Sequence, residues 1–297
     1  MIQAGLRRCI KISAAVAVAS AAAFCGNAVW ALAGAACPDG KPADGVSRAG
    51  GPKGCLLMKL HESDAQHFKK VLIVFLHGDN GGHITLSDDK GTAVRLSKKL
   101  NAMVVALQRP GYTSPLGKSD GFTSFQDDDY TAGNVDILAG ALDSLRRHYP
   151  GRRILLVGHS GGSAMTALTA ARHPAAADAY LLAGCPCDVV AWRAWRAHSG
   201  DKSGYWGRSL SPLKEAGKIK PGTAIRIVVG TKDTNTLPKF SEAFLEKLRA
   251  GGVQADLTYV EGAGHASVLK TPEFIKVARQ MARKLQRGAG SGQGDDD

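Results

Sequence analysis

Three short polar segments carry the residue types that nucleophilic catalysis needs. Gly158-His159-Ser160-Gly161-Gly162 sets a serine among small residues. The run 153–157 before it reads as a buried strand, and 163–171 after it reads as a helix. A serine on a tight strand-to-helix turn stands out at the top of a sheet, and small neighbours let strand and helix approach closely. The bland alternative is a Gly/Ser loop that caps the helix. A serine hydroxyl is a poor nucleophile until a base takes its proton. Histidine suits that task when a carboxylate holds its other ring nitrogen. Glu261-Gly262-Ala263-Gly264-His265-Ala266 supplies a histidine on a glycine-rich turn. Val228-Val229-Gly230-Thr231-Lys232-Asp233 supplies the carboxylate. Otherwise His265 is a surface histidine and Asp233 an Asx turn before a helix. Asp188 is a rival acid one strand earlier, and Asp256 lies inside a strand.

Elements must hold these segments in place. Apolar runs predict strands over 71–76, 102–107, 179–183, 225–229 and 256–260. Helices are expected over 92–100 and 130–149, the second with Val135, Leu138, Leu142 and Leu145 on one side. Phe240, Phe244, Leu245 and Leu248 mark another helix face, and Phe274, Val277, Met281 and Leu285 mark the last. Strand and helix in alternation imply an α/β fold, a mainly parallel sheet with helices on both faces. Catalytic groups on such a sheet gather beyond the carboxyl ends of the strands. Each polar segment follows a strand in this way.

The order Ser160, Asp233, His265 is that of the α/β-hydrolases. From about 71 to 285 the chain resembles the α/β-hydrolase superfamily. The resemblance rests on the Ser160 pentapeptide, the Asp233 turn, the Gly264-His265 turn and His77-Gly78-Asp79-Asn80-Gly81-Gly82 after the first buried strand. It implies the α/β-hydrolase fold, with Ser160 as nucleophile, His265 as general base and Asp233 as its orienting acid. It also implies an oxyanion hole built from the backbone N–H groups of Gly161 and Asp79. The Asp79 side chain must then point away, because a carboxylate would repel the oxyanion. His77 and His159 read as structural, and His67 and His83 as ordinary polar positions.

Gln108-Arg109-Pro110-Gly111-Tyr112 resembles a loop of this superfamily that would line the pocket mouth; a plain turn is the alternative. Residues 185–222 stand where the family places a cap, and are too short for a large helical lid. They hold Trp192, Trp195, Tyr205 and Trp206. Aromatics gathered there suggest a wall for an apolar or ring-bearing substrate, or pins that hold a loop to the core. Gly78, Tyr112, Trp192, Trp195 and Trp206 are the candidate substrate contacts.

The chain opens with Arg7, Arg8 and Lys11, then an Ala/Val-rich apolar run and the small residues Ala31-Leu32-Ala33-Gly34. That pattern predicts a secretory signal peptide over 1–33, and hence a periplasmic or secreted protein. An uncleaved membrane anchor is the alternative. The formal net charge of the whole chain is +12. Such a surplus suits adsorption to an anionic cell envelope. The basic residues are scattered without interleaved aromatics, so nucleic acid is not implied. Export places Cys37, Cys55, Cys185 and Cys187 in an oxidising compartment. Cys37 with Cys55 is the preferred bond, pinning a Gly/Pro-rich segment (34–70) expected to have little core of its own. Cys185 and Cys187 flank one proline, too tight to pair without strain but not impossible. The main domain is expected over 71–286, and a disordered Gly-rich tail over 287–297.

The expected function is an exported serine hydrolase acting on small-molecule esters. A serine peptidase of the prolyl-oligopeptidase-like type is the alternative within this fold. A non-catalytic envelope binding protein is the alternative outside enzymes. No metal or organic cofactor is implied.

Overall fold

The structure is a computed structural model that describes residues 37, 40–41, 43–80, 82, 91–124, 129–200 and 207–288. The expectations for the leader over 1–33, for the tail beyond 288, and for Gly81, His83, Tyr205 and Trp206 fall outside these residues.

The elements in chain order are β1 (Arg48–Gly51), β2 (Gly54–His61), β3 (Val71–Leu76), α1 (Thr92–Leu100) and β4 (Met103–Leu107). A minimal hairpin, β5 (Thr113–Ser114) and β6 (Gly117–Lys118), comes next, then α2 (Ala132–His148), β7 (Arg153–His159), α3 (Gly161–Arg172) and β8 (Ala179–Ala183). The chain continues through α4 (Val189–His198), α5 (Pro212–Glu215), β9 (Ile225–Gly230), α6 (Pro238–Ala250), β10 (Ala255–Val260) and α7 (Pro272–Gly288). The main sheet runs β1-β2-β4-β3-β7-β8-β9-β10. From β4 to β10 the pairs are parallel, while β1 and β2 are antiparallel.

Period-two alternation explains why helices must cover both faces. Leu72, Val74 and Leu76 of β3 point into one core layer with residues of α2, α3 and α6. Val71, Ile73 and Phe75 point into the other, with α1 and α7. Both sets are buried, so neither face of β3 meets water. α7 shows the complementary pattern: Phe274, Val277, Ala278, Met281, Ala282 and Leu285 form one buried stripe.

Three findings differ from the sequence reading. The segment before Val71 is part of the sheet rather than a pinned appendage. β2 pairs with β4, and Leu56 and Met58 are core residues. The apolar run from Cys55 to Leu60 was the available signal. The Cys37–Cys55 bond ties the chain to β2, with Cα atoms 5.4 Å apart. Cys185 and Cys187 are also bonded; the chain turns sharply enough to bring their Cα atoms to 5.0 Å, within disulfide reach. Finally, α7 continues through Arg287 and Gly288, where the tail was expected to begin.

Candidate active site

Ser160 sits between β7 and α3 with φ 53° and ψ −124°. A non-glycine residue in such a region is strained by about 1–3 kcal/mol and persists only where its surroundings over-determine it. Here the Ser160 N–H donates to the Ala183 carbonyl on β8 at 2.9 Å, and Ser163 N–H donates to the Ser160 carbonyl at 2.8 Å. The Ser163 hydroxyl is within hydrogen-bonding reach of the Gly158 and Ala183 carbonyls and accepts from Ala183 N–H. A Cβ at Gly162 would come within 2.5 Å of the His77 carbonyl oxygen, so only glycine lets α3 start this close to the end of β3.

His265 Nδ1 donates to Asp233 Oδ2 at 2.8 Å. Asp233 is buried, and its Oδ1 accepts from the Asn235 and Thr236 N–H groups at 2.9 and 2.8 Å. The Thr236 hydroxyl donates to Oδ2 at 2.8 Å. Burial alone would raise this carboxyl, but the hydrogen bonds and charge of His265 and the bonds from Thr236 hold it below the ordinary carboxylate value. Asp233 therefore makes the Asx turn and orients the histidine at once. Asp188 takes no part: it caps α4, accepting from Ala191 N–H at 3.2 Å.

The ring of His265 lies 4.8 Å from that of His159, the residue before Ser160. His159 Nε2 donates to the His265 carbonyl at 3.0 Å and braces that turn. Burial, then the neighbouring His265, lowers the His159 pKa from 6.5 to about 4, so the ring is neutral. The third segment closes the site. A Cβ at Gly78 would lie 2.9 Å from Ser160 Cβ, so this loop runs directly against the serine. Arg109 N–H donates to His77 Nε2 at 3.1 Å, which leaves His77 Nδ1–H to donate to the Gly78 carbonyl at 2.8 Å. Burial, then Arg109, lowers the His77 pKa to about 3. A cavity of about 350 Å³ opens alongside, bordered by Gly78, His159 and Ala266 and walled by Phe75, Val94 and Leu269. Among the described residues no group of three His, Cys, Asp or Glu side chains is placed to hold a metal ion.

A model of the alpha/beta hydrolase family matches residues 73–217, which include the Gly78 loop and Ser160. Over that stretch the chain is similar to the alpha/beta hydrolase family. Solved structures with the same architecture include an esterase of Pyrococcus furiosus, with a TM-score of 0.60 and 16% identity, covering 80% of this chain and 91% of that one. The proline iminopeptidase of Mycobacterium smegmatis matches with a TM-score of 0.57 at 12% identity, over 82% of this chain and 99% of that one. A monoacylglycerol lipase of Paleococcus ferrophilus matches with a TM-score of 0.52 at 17% identity, over 78% and 98%. At these identities the likeness is one of fold. No curated protein matches the chain.

The hydrolase fold brings Ser160, His265, Asp233, Gly78, Asp79 and Gly161 to one place, but it does not bring Tyr112 there. Tyr112 is fully buried, its ring 4.7 Å from His77 and under the Arg109 guanidinium, so it lines no pocket mouth. The face of the ring attracts the cation that lies over it. Trp192 is likewise buried, and its indole N–H donates to the Asn235 carbonyl at 3.0 Å. It pins α4 to the Asp233 loop rather than walling a substrate. Trp195 is half-buried against the core, under the Lys239 ammonium. Four residues near the site had no motif to announce them: Thr236, Ser163, Asp129 and Tyr130.

Proposed function

We propose that this hydrolase is an exported serine esterase that cleaves carboxylic esters through an acyl-enzyme on Ser160. The observation that carries the reading is the His265–Asp233 pair at 2.8 Å beside a serine held at positive φ. With Nδ1 committed to Asp233, His265 Nε2 takes the Ser160 proton as Oγ attacks the ester carbonyl. The carbonyl electron pair moves onto oxygen, and the oxyanion rests on the N–H groups of Gly161 and Asp79. As the tetrahedral intermediate collapses, His265 gives its proton to the leaving alcohol and the acyl group stays on Ser160. Water, deprotonated by His265, then attacks the acyl-enzyme; the bond to Ser160 breaks, His265 returns the proton to Ser160 Oγ, and the acid leaves.

His77 supports the Asp79 assignment. Its Nδ1–H draws the Gly78 carbonyl toward itself. In a trans peptide the N–H of the next residue, Asp79, points the opposite way. The cavity of about 350 Å³ bordered by Gly78 and His159 is assigned to the acyl group; Ser160 and His265 adjoin its lining residues in sequence but do not line it. It lies at the small end of the roughly 300–1,000 Å³ of small-molecule sites, which favours short acyl chains. A peptidase acting on free amino termini needs a carboxylate for the substrate ammonium. The described acids of 185–222 are both engaged, Asp188 on α4 and Glu215 with Arg172 and Lys218. That favours esters over aminopeptidase substrates. Two disulfides and the basic, apolar, small-residue leader pattern support export.

The test exposes wild type and Ser160→Ala to a fluorophosphonate probe, then to nitrophenyl esters and aminoacyl anilides. Wild type should be labelled and the variant not, with short esters turned over fastest. A folded wild type that takes no label would sink the mechanism; anilides turned over faster than esters would sink the ester assignment.

A further inference from the structure

An acidic side chain on an oxyanion loop is a paradox. Asp79 offers its backbone N–H to a developing negative charge while carrying one of its own. Both oxygens of its carboxylate are held. Oδ1 accepts from Arg109 Nη1 at 2.7 Å, and Oδ2 accepts from the Tyr130 hydroxyl at 2.6 Å. Arg109 is wholly buried. Its other terminal nitrogen, Nη2, donates to both oxygens of buried Asp129, at 2.6 and 2.7 Å. The guanidinium lies over the Tyr112 ring at 4.8 Å and the Tyr130 ring at 5.4 Å. Asp129 thus sets the orientation of the fork, the two rings confine it, and the remaining nitrogen is aimed at Asp79. Lysine has no such fork and would not serve two carboxylates in fixed directions.

The location of the Asp79 carboxylate gives this clamp a catalytic consequence. A Cβ on Gly161 would overlap both the carboxylate and the Tyr130 hydroxyl. The carboxylate therefore lies against the residue that offers the second oxyanion N–H. We infer that Arg109, assisted by Tyr130, is a positioning residue of the oxyanion site: it neutralises and anchors the Asp79 carboxylate, so that Asp79 serves the oxyanion through its N–H without opposing it by its charge. Charges act strongly at such short range where water is scarce, so an unpaired carboxylate here opposes the transition state more than the neutral ground state. The backbone of Arg109 acts on the same loop. Its N–H fixes the His77 tautomer that turns the Gly78–Asp79 peptide. The Arg109-Pro110-Gly111-Tyr112 segment thereby acquires a role behind the oxyanion loop instead of at the pocket mouth.

This inference rests on the serine-esterase reading, and a charge-rescue experiment separates the two. Arg109→Met is compared with Arg109→Met/Asp79→Asn on a nitrophenyl ester, with fold checked by near-UV circular dichroism. The single variant should lose about 100-fold in kcat with KM little changed, the scale of a lost oxyanion donor. Removing the exposed charge should restore about tenfold of that loss. A purely structural Arg109 gives a rescue of melting temperature alone: Asp79→Asn, which keeps an acceptor for Tyr130, restores stability but not kcat. Should Arg109→Met fail to fold, Tyr130→Phe keeps the shape and removes one donor to Asp79. It should lower kcat several-fold, and Asp79→Asn should relieve the loss. An unchanged kcat in a folded Arg109→Met or Tyr130→Phe protein, or a loss that Asp79→Asn does not relieve, overturns the inference. Wild type that takes up fluorophosphonate at Ser160 but shows no rescue overturns only this inference. Wild type that takes up none removes the esterase reading and the inference with it.

Discussion

His265–Asp233 and Arg109–Asp79–Asp129 are both carboxylate clusters near the carboxyl ends of the central strands, yet they are built for opposite tasks. The His265 side chain is 18% exposed and Asp233 is not exposed at all, so one partner faces the reaction while the other anchors it. The Arg109 side chain is 0% exposed; burial opposes its charge, but Asp129 above all, with Tyr112 and Asp79, holds its pKa well above the ordinary value. In the proposed mechanism the first cluster passes a proton on each turnover. The second must never change state. A catalytic base needs an open side, whereas a charge clamp needs a buried cation with carboxylates held against it.

That contrast breaks most visibly at Asp233. Asp233→Asn should cost about 10⁴-fold in kcat, because the amide holds His265 in the wrong tautomer. Steady-state ester hydrolysis measures this, and activity within tenfold of wild type would mean that another acid orients the histidine.

Acid should load both regions through their buried neutral histidines. The pKa values of His77 and His159 fall from 6.5 to about 3 and about 4. The unfolded chain therefore binds protons that the folded chain refuses. Stability from these groups is complete above pH 6.5 and is lost as pH falls toward 4 and 3. At pH 5 the loss is about 2 kcal/mol for each histidine. Urea midpoints at pH 7.5 and pH 5 check it; a midpoint unchanged across that interval would show that the two rings are charged when folded, against the tautomers assigned here.

The smallest effect sharpens the comparison by subtraction. Asp188→Ala removes the α4 cap and should cost about 1 kcal/mol of stability while leaving kcat unchanged. A large fall in kcat with the melting temperature intact would restore Asp188 as a partner of the site.

Much of this was legible because the signals are local. The unbroken apolar run Val71–Leu76, the stripe from Phe274 to Leu285 and the small residues around Ser160 each report an environment through a few consecutive positions. Chain order added the identity of the acid, and Asp233 rather than Asp188 meets His265. The misses share a cause. β2 was overlooked because Gly and Pro before it masked a strand whose place in the sheet is set by pairing with β4. Trp192 and Tyr112 were read as substrate contacts because an aromatic side chain looks the same in a sequence whether it faces a cavity or a core.

By itself the sequence determined the layered α/β architecture, the nucleophile turn and the order of Ser160, Asp233 and His265. Only the tertiary structure decided what Arg109 does. Its partners Asp79 and Asp129 lie 30 and 20 residues away along the chain. No periodicity links those positions. They meet because the loops after β3 and β4 and the segment leading into α2 pack together, where a buried cation is stable only beside carboxylates that offset its charge.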